Sequence, residues 1–293
     1  MWRARTAEWS LLKVACVASL LGCGAGPQVR ASRSMLSRNP IERVAIFGEA
    51  QVVWPRFRKG EYFGLSESKQ SLTAQIPKVQ SELRRKGYDV VYAEPAAVGY
   101  FAPWMTDRLV SGVVEEKGVV RDDPDTFVRC DNKEPLFEYP AATRNLAVRD
   151  ALRRIFESLE ESVSLGWGST FTLDPDDVVI LRDAAGADTI CLARITGRVF
   201  TTARKIGTVV EGIAVGVALG GAAGAVVAGG ASDSSGISLL LVDANSGDVL
   251  FLGEAQGSAH PSDEKSDIAQ RALALLPSRG KALDAKYRKP DGP

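Results

Sequence analysis

Few residues in this 293-residue chain are of a type and spacing that could do chemistry, and four of them are cysteines: Cys16, Cys23, Cys130 and Cys191. A thiol can be acylated, oxidised to a disulfide or used as a nucleophile. No CxxC spacing occurs, which argues against a zinc or thioredoxin-type site, and no metal is expected. The one histidine, His260, precedes Pro261 and has no partner visible in the sequence, so it reads as a surface residue. Four acidic pairs, Glu115-Glu116, Asp122-Asp123, Glu160-Glu161 and Asp176-Asp177, are of the type that serves glycosidases. Asp176-Asp177 is accounted for by a helix N-terminus and the others by solvated faces. There is no GxSxG elbow, no GxxxxGK[ST] loop and no GxGxxG after the first strand, so neither a catalytic residue nor a cofactor is expected and the chain reads as a non-enzyme.

Cys23 stands out by position. Arg3, Arg5 and Lys13 are followed by the apolar run 14–21 and then by Leu20-Leu21-Gly22-Cys23. Charge, apolar core and a small residue before the cut form the order of a secretory signal, and the core is too short to span a bilayer. The Leu-Leu-Gly-Cys string resembles the lipobox of bacterial lipoproteins. That resemblance implies cleavage before Cys23, acylation of its Sγ with palmitate-type chains, and, with Gly24 rather than Asp next, sorting to the outer membrane facing the periplasm. With Cys16 lost in the signal and Cys23 carrying lipid, Cys130 and Cys191 remain in an oxidising compartment. A disulfide between them is one expectation; a small buried hydrophobe is the other reading of Cys191, which sits in Thr189-Ile190-Cys191-Leu192-Ala193.

The elements that must position such groups follow from periodicity. Residues 1–22 read as signal and 23–40, rich in Gly, Ser and Arg, as a flexible tether. Residues 41–278 read as one α/β domain and 279–293 as a polar tail. Strands are expected at 43–48, 89–93, 189–200, 237–242 and 248–252, the last two joined by the turn 243–247. Helices are expected at 68–86, with Pro77 as kink or true start, at 141–163, and from the cap Asp174 to Gly186; Ser262 is expected to cap a last one. The stretch 94–140 with its five prolines has no clear pattern. The fold class is therefore α/β, a mixed sheet with flanking helices, in which strand, helix and strand at 43–93 form a parallel pair. Trp54, Phe57, Tyr62 and Phe63 with Arg56, Arg58 and Lys59 read as an aromatic-basic loop that contacts a partner, glycan or lipid headgroup, or folds back onto the core.

Between two late strands lies the insert 207–230, almost entirely Gly, Ala and Val, in which Gly212, Gly216, Gly220 and Gly224 recur every fourth residue. On a helix these share one face and admit a close neighbour. Self-association within or on the membrane, a small-residue helix or hairpin packed on its own domain, and a Gly-rich loop all remain open. Lys+Arg and Asp+Glu are equal at 36 each, so no strong field attracts nucleic acid.

Residues 185–190 and 240–251, a helix end feeding a strand and a hairpin turned by Asp243-x-x-x-Gly247, resemble the periplasmic α/β domain of curli-secretion-channel-type and related envelope-assembly lipoproteins. The resemblance implies architecture and compartment, carries over no catalytic residue, and suggests a non-catalytic, lipid-anchored binding or assembly module with a protein partner. An oligomeric membrane component joined through the 207–230 glycine zipper is the alternative.

Overall fold

The computed structural model describes residues 28–32, 35, 37–56, 60–99, 113–114, 120–121, 145–164, 172–200 and 232–282. The readings on Cys23, on Cys130 and on Gly212, Gly216, Gly220 and Gly224 lie outside these residues.

The elements, in chain order, are β1 (Gln28–Ala31), β2 (Arg43–Arg56), β3 (Gly60–Phe63), α1 (Leu65–Arg85), β4 (Asp89–Val98), β5 (Val113–Val114), β6 (Val120–Arg121), α2 (Leu146–Ser164), α3 (Pro175–Ala185), β7 (Thr189–Arg198), β8 (Ser234–Asp243), β9 (Val249–Gly257) and α4 (Ile268–Ala272). Seven strands form one mixed sheet in the order β1-β9-β8-β7-β2-β3, with β4 also on β2; β5 and β6 pair separately. The expected α/β class and the parallel β2–α1–β4 unit are both present: β2 runs parallel to β4 and to β7, and β7, β8, β9 and β1 follow antiparallel.

Alternation along β2 makes the fold three-layered. Val44 and Ile46 enter a core with Leu72, Ile76, Val79 and Leu83 of α1 and Ile268, Ala269 and Ala272 of α4. Ala45 and Phe47 point the other way, to Val148, Leu152, Ile155 and Phe156 of α2 and Val178 and Leu181 of α3. Successive strand residues face opposite sides, so one strand feeds both layers. The helix α1 approaches β2 closely at Gly48, where a Cβ would sit 2.4 Å from the Ile76 Cδ1. In β9 the register steps from Val242↔Val249 to Leu241↔Phe251, leaving Leu250 as an extra residue. This bulge puts both Leu250 and Phe251 into the α1/α4 layer.

Several local expectations are corrected. The stretch 23–40 is not tether throughout: Gln28–Ala31 pairs with Glu254 to Phe251 of β9, and Met35 and Ile41 are fully buried. Asn39 follows in a left-handed conformation (φ 45°), and its Nδ2 lies 3.0 Å from the Tyr88 hydroxyl and 3.1 and 3.0 Å from the carbonyls of Ser278 and Lys281. The segment is a strand despite its loop-like composition because β9 supplies the backbone partners that a lone tetrapeptide lacks. The expected loop from Trp54 to Gly64 is a strand end and a return strand, Trp54 pairing with Tyr62 in register; residues 57–59 lie outside the described ones. The helix α1 begins at Leu65, three residues before Ser68. The Ser68 hydroxyl instead donates to the Gly64 carbonyl at 2.7 Å and accepts the Val52 N–H at 2.9 Å, fastening the helix to β2. Pro77 lies inside α1 on an exposed position, where the Thr73 carbonyl that loses its donor is on an exposed position too. The strand β4 continues through Pro95, with a register shift between Gly48 and Glu49 that skips Ala96; among the described residues β4 pairs with β2 alone, an edge position that tolerates proline. Ser262 does not cap the last helix; α4 begins after Asp267, and the Ser262 N–H donates to His260 Nδ1 at 3.2 Å.

Candidate functional site

On the α2/α3 face of the sheet, the side chains change from apolar to polar along the strands. Phe47, Leu192, Leu240 and Leu252 pack against α2 and α3. Two residues on, toward the carboxyl ends of β2 and β7, the same face carries Glu49, Arg194, Ser238 and Glu254. These four lie in one row by register, Glu49↔Arg194↔Ser238↔Glu254, with Gln28 of β1 opposite Glu254. Carboxyl ends of parallel strands are where ligands bind in α/β sheets, which makes this row the candidate site.

Its geometry is a set of mutual contacts. Arg194 Nε stands 3.2 Å from Glu49 Oε2, with the carboxylate fully buried and the arginine side chain 19% exposed. Arg194 Nη2 donates to Gln51 Oε1 at 3.4 Å, and Ser238 Oγ donates to Glu254 Oε1 at 3.1 Å. Nearby on β4, the Tyr92 hydroxyl donates to Glu94 Oε2 at 3.0 Å while its ring rests against Phe47, centroids 5.0 Å apart. Burial, with the Glu94 carboxylate second, raises the Tyr92 pKa, so the phenol is a neutral donor. Charge and hydrogen-bonding capacity are thus directed inward across the strands. Ser238 gives its proton to a carboxylate and has no imidazole beside it, which is not the nucleophile–base–orienter arrangement of acyl transfer.

The row was not read from the sequence. A signal was present: Ala45-x-Phe47-x-Glu49-x-Gln51 and Ile190-x-Leu192-x-Arg194-x-Thr196 each turn polar at the same step. Alternate residues of one strand do not reveal which residue of another lies beside them, and register decides that.

Other groups singled out by the sequence lie apart. The Asp174 side chain accepts the Asp176 N–H at 3.0 Å as N-cap of α3, and Gly186 ends that helix at φ 64°. Asp177 is buried and takes Arg154 Nε of α2 at 2.9 and 3.0 Å, so this acidic pair fastens helix to helix. His260 lies in the loop after β9, its Nδ1 2.7 Å from Ser262 Oγ. The pairs Glu115-Glu116 and Asp122-Asp123 and the side chains of Glu160 and Glu161 fall outside the described residues. Among the described residues no group of three or more His, Cys, Asp or Glu could hold a metal, and no helix is long and apolar enough to cross a membrane.

Cys191 is a free thiol on β7, fully buried in the α1/α4 layer; Cys130, and with it the expected pairing, lies outside the described residues. Burial pushes the Cys191 pKa from its ordinary 9.0 up to about 12. The folded protein therefore keeps a proton that the unfolded chain releases. Stability is intact below about pH 9 and is lost as pH rises toward 12, at about 1.4 kcal/mol per pH unit for this one group. Denaturant titrations at pH 8 and 10 should show that loss, and Cys191→Ala should remove it. An unchanged loss in Cys191→Ala would assign it to Tyr88 and Tyr92, whose pKa values burial also raises.

No family model matches the chain, and no curated protein matches it. Among solved structures, it is similar to the dodecamer of a point variant of PelC from Paraburkholderia phytofirmans, at 8% identity over 87% of this chain and 99% of that one, with a TM-score of 0.29. At that TM-score the superposition is too loose to extend anything from PelC to this chain.

Proposed function

We propose that this chain is a lipid-anchored protein of the cell envelope, attached through Cys23 to the outer membrane, whose α/β domain faces the periplasm and works without catalysis as a binding or assembly module. The observation that carries the reading is the order at the N-terminus: Arg3, Arg5 and Lys13, the apolar run 14–21, then Leu20-Leu21-Gly22-Cys23. The inward-directed polar row supports it, since Arg194 is turned to Glu49 and Gln51, and Ser238 to Glu254. Buried charges matched in this way hold register and cross-strand geometry.

A second reading is favoured by one further observation, the fourfold spacing of Gly212, Gly216, Gly220 and Gly224, whose shared helical face would let copies of the chain associate in the membrane. Both readings share the anchor. Mass spectrometry of the mature protein's first peptide tests it directly. The expected result is an acylated Cys23 as residue one. A first peptide that retains residues 1–22, or an unmodified Cys23, would overturn the proposal.

A further inference from the structure

The position of β1 limits where a lipid on Cys23 can reach. Cys23 precedes Gln28 by five residues, which span at most about 18 Å when fully extended. Gln28 is level with Glu254 of β9, and β9 continues for three residues to Gly257, about 10 Å of strand. Because β1 is antiparallel to β9, the chain enters β1 from the Gly257 end of the sheet. That end also carries the carboxyl ends of β2 and β7, since Arg198 pairs with Ser234 and Ser235 with Gly257. The lipid attachment point therefore lies no more than about 8 Å beyond the sheet's rim there. The opposite rim, at the turn Asn245-Ser246, is further from Gln28 than the five residues can reach: six strand residues separate Glu254 from Asp248, about 20 Å.

The connection between β7 and β8 also starts and ends at this rim. It leaves at Phe200 and returns at 232, beyond the paired ends of β7 and β8, and the Phe200 N–H donates to Asp233 Oδ1 at 2.9 Å. The uncharged residues 213–229 lie between these points in sequence. The segments that contain Cys23 and the uncharged residues 213–229 thus join the domain at one end.

We infer that the end of the sheet bearing the carboxyl termini of β2 and β7 faces the surface of the bilayer leaflet that holds the Cys23 lipid, with the Asn245-Ser246 turn directed away from it. This rests on the lipid-anchor reading above. It makes the bilayer surface the neighbour of the polar row and leaves the far rim, with α3's Gly186 end and residues 278–282, to the aqueous side.

The test uses the full mature, lipidated protein in phosphatidylethanolamine–phosphatidylglycerol vesicles that carry an energy-transfer acceptor on a small fraction of headgroups. A donor dye is placed at Ser258→Cys, at the near rim, or at Ser246→Cys, at the far rim, each in a Cys130→Ser background. Both sites are exposed, while Cys191 is buried and shielded from the dye. The two rims are separated by on the order of 30 Å of strand. Transfer from the Ser258 site should exceed that from the Ser246 site by at least about twofold, as expected for acceptors spread in one plane at such a separation. Gln256→Cys, also exposed at the near rim, serves as a second donor site if Ser258→Cys folds poorly. Equal transfer would mean the domain lies on its β1 edge, and stronger transfer from Ser246 would mean it is inverted; either overturns the orientation alone. The mass of the Cys23 peptide in the same sample separates this from failure of the anchor: an unacylated peptide removes both readings together.

Discussion

Replacing Cys23 by Ala is expected to move the protein from the membrane pellet to the soluble fraction. A single acyl chain of myristoyl length binds a bilayer with only about 10⁴ M⁻¹, and stable attachment takes two such signals. Removing every chain should leave the protein in the soluble fraction if lipid is the sole anchor. Among the described residues no helix is long and apolar enough to cross a membrane. Residues 213–229 carry no charge, but 17 residues of helix would span only about 26 Å, at the short end for a membrane helix. Fractionation with a carbonate wash, run on Cys23→Ala with and without a deletion of 207–230, separates the two readings of function. Release of Cys23→Ala alone makes the glycine segment a packing or partner element and favours the binding module. Retention of Cys23→Ala until 207–230 is also removed places that segment in the membrane and favours the oligomeric membrane component.

Arg194→Met is expected to destabilise the folded domain by about 3–5 kcal/mol, the range for breaking a buried ion pair from one side. The substitution takes the guanidinium from a carboxylate with no solvent exposure, Glu49, in the middle of the sheet. It also removes the donor to Gln51 Oε1. For a domain of this size the midpoint of thermal unfolding should fall by on the order of 10 °C. The double variant Arg194→Met with Glu49→Leu should recover most of the loss, because an apolar pair of similar volume in such a position is often neutral or stabilising. A double variant as unstable as the single one would mean that the row contributes through more than this pair. A single variant of unchanged stability would show that the carboxylate is compensated by other means. Neither substitution touches the proposed N-terminal anchor, so on that proposal membrane attachment should persist in any fraction that folds.

The parts of the fold legible in the sequence are those whose causes lie within a few residues. The helix α3 was readable at both ends because Asp174, Pro175 and Gly186 act on their own backbone: a side-chain acceptor for the Asp176 N–H, a preset φ, and a left-handed stop. The hairpin between β8 and β9 was readable for the same reason. Asp243 Oδ1 accepts the Asn245 and Ser246 N–H groups at 2.8 and 3.2 Å, and Gly247 takes φ 75°, with the Leu173 carbonyl oxygen only 2.3 Å from where a Cβ would be. The apolar spacing of Leu72, Ile76, Val79 and Leu83 and the parallel β2–α1–β4 order also follow from local periodicity.

Cross-strand neighbours decided the rest. Gln28–Ala31 has no strand signal of its own and becomes a strand because β9 offers an open edge. Pro95 fits in β4 because, among the described residues, β4 pairs with β2 alone and so lies at an edge of the sheet. Ser68 lies within α1 as a helix-to-strand fastening because the Val52 N–H is within its reach. The polar row depends most on this: Glu49, Arg194, Ser238 and Glu254 are spread over more than 200 residues and meet only when four strands take one register. By itself the sequence determined the class of fold, both ends of α3 and the hairpin turn, because each is set by dihedral preferences and periodicity over a few residues. Tertiary structure alone decided which charges face each other and at which rim of the sheet the chain enters β1, because both depend on pairing between segments remote in the chain.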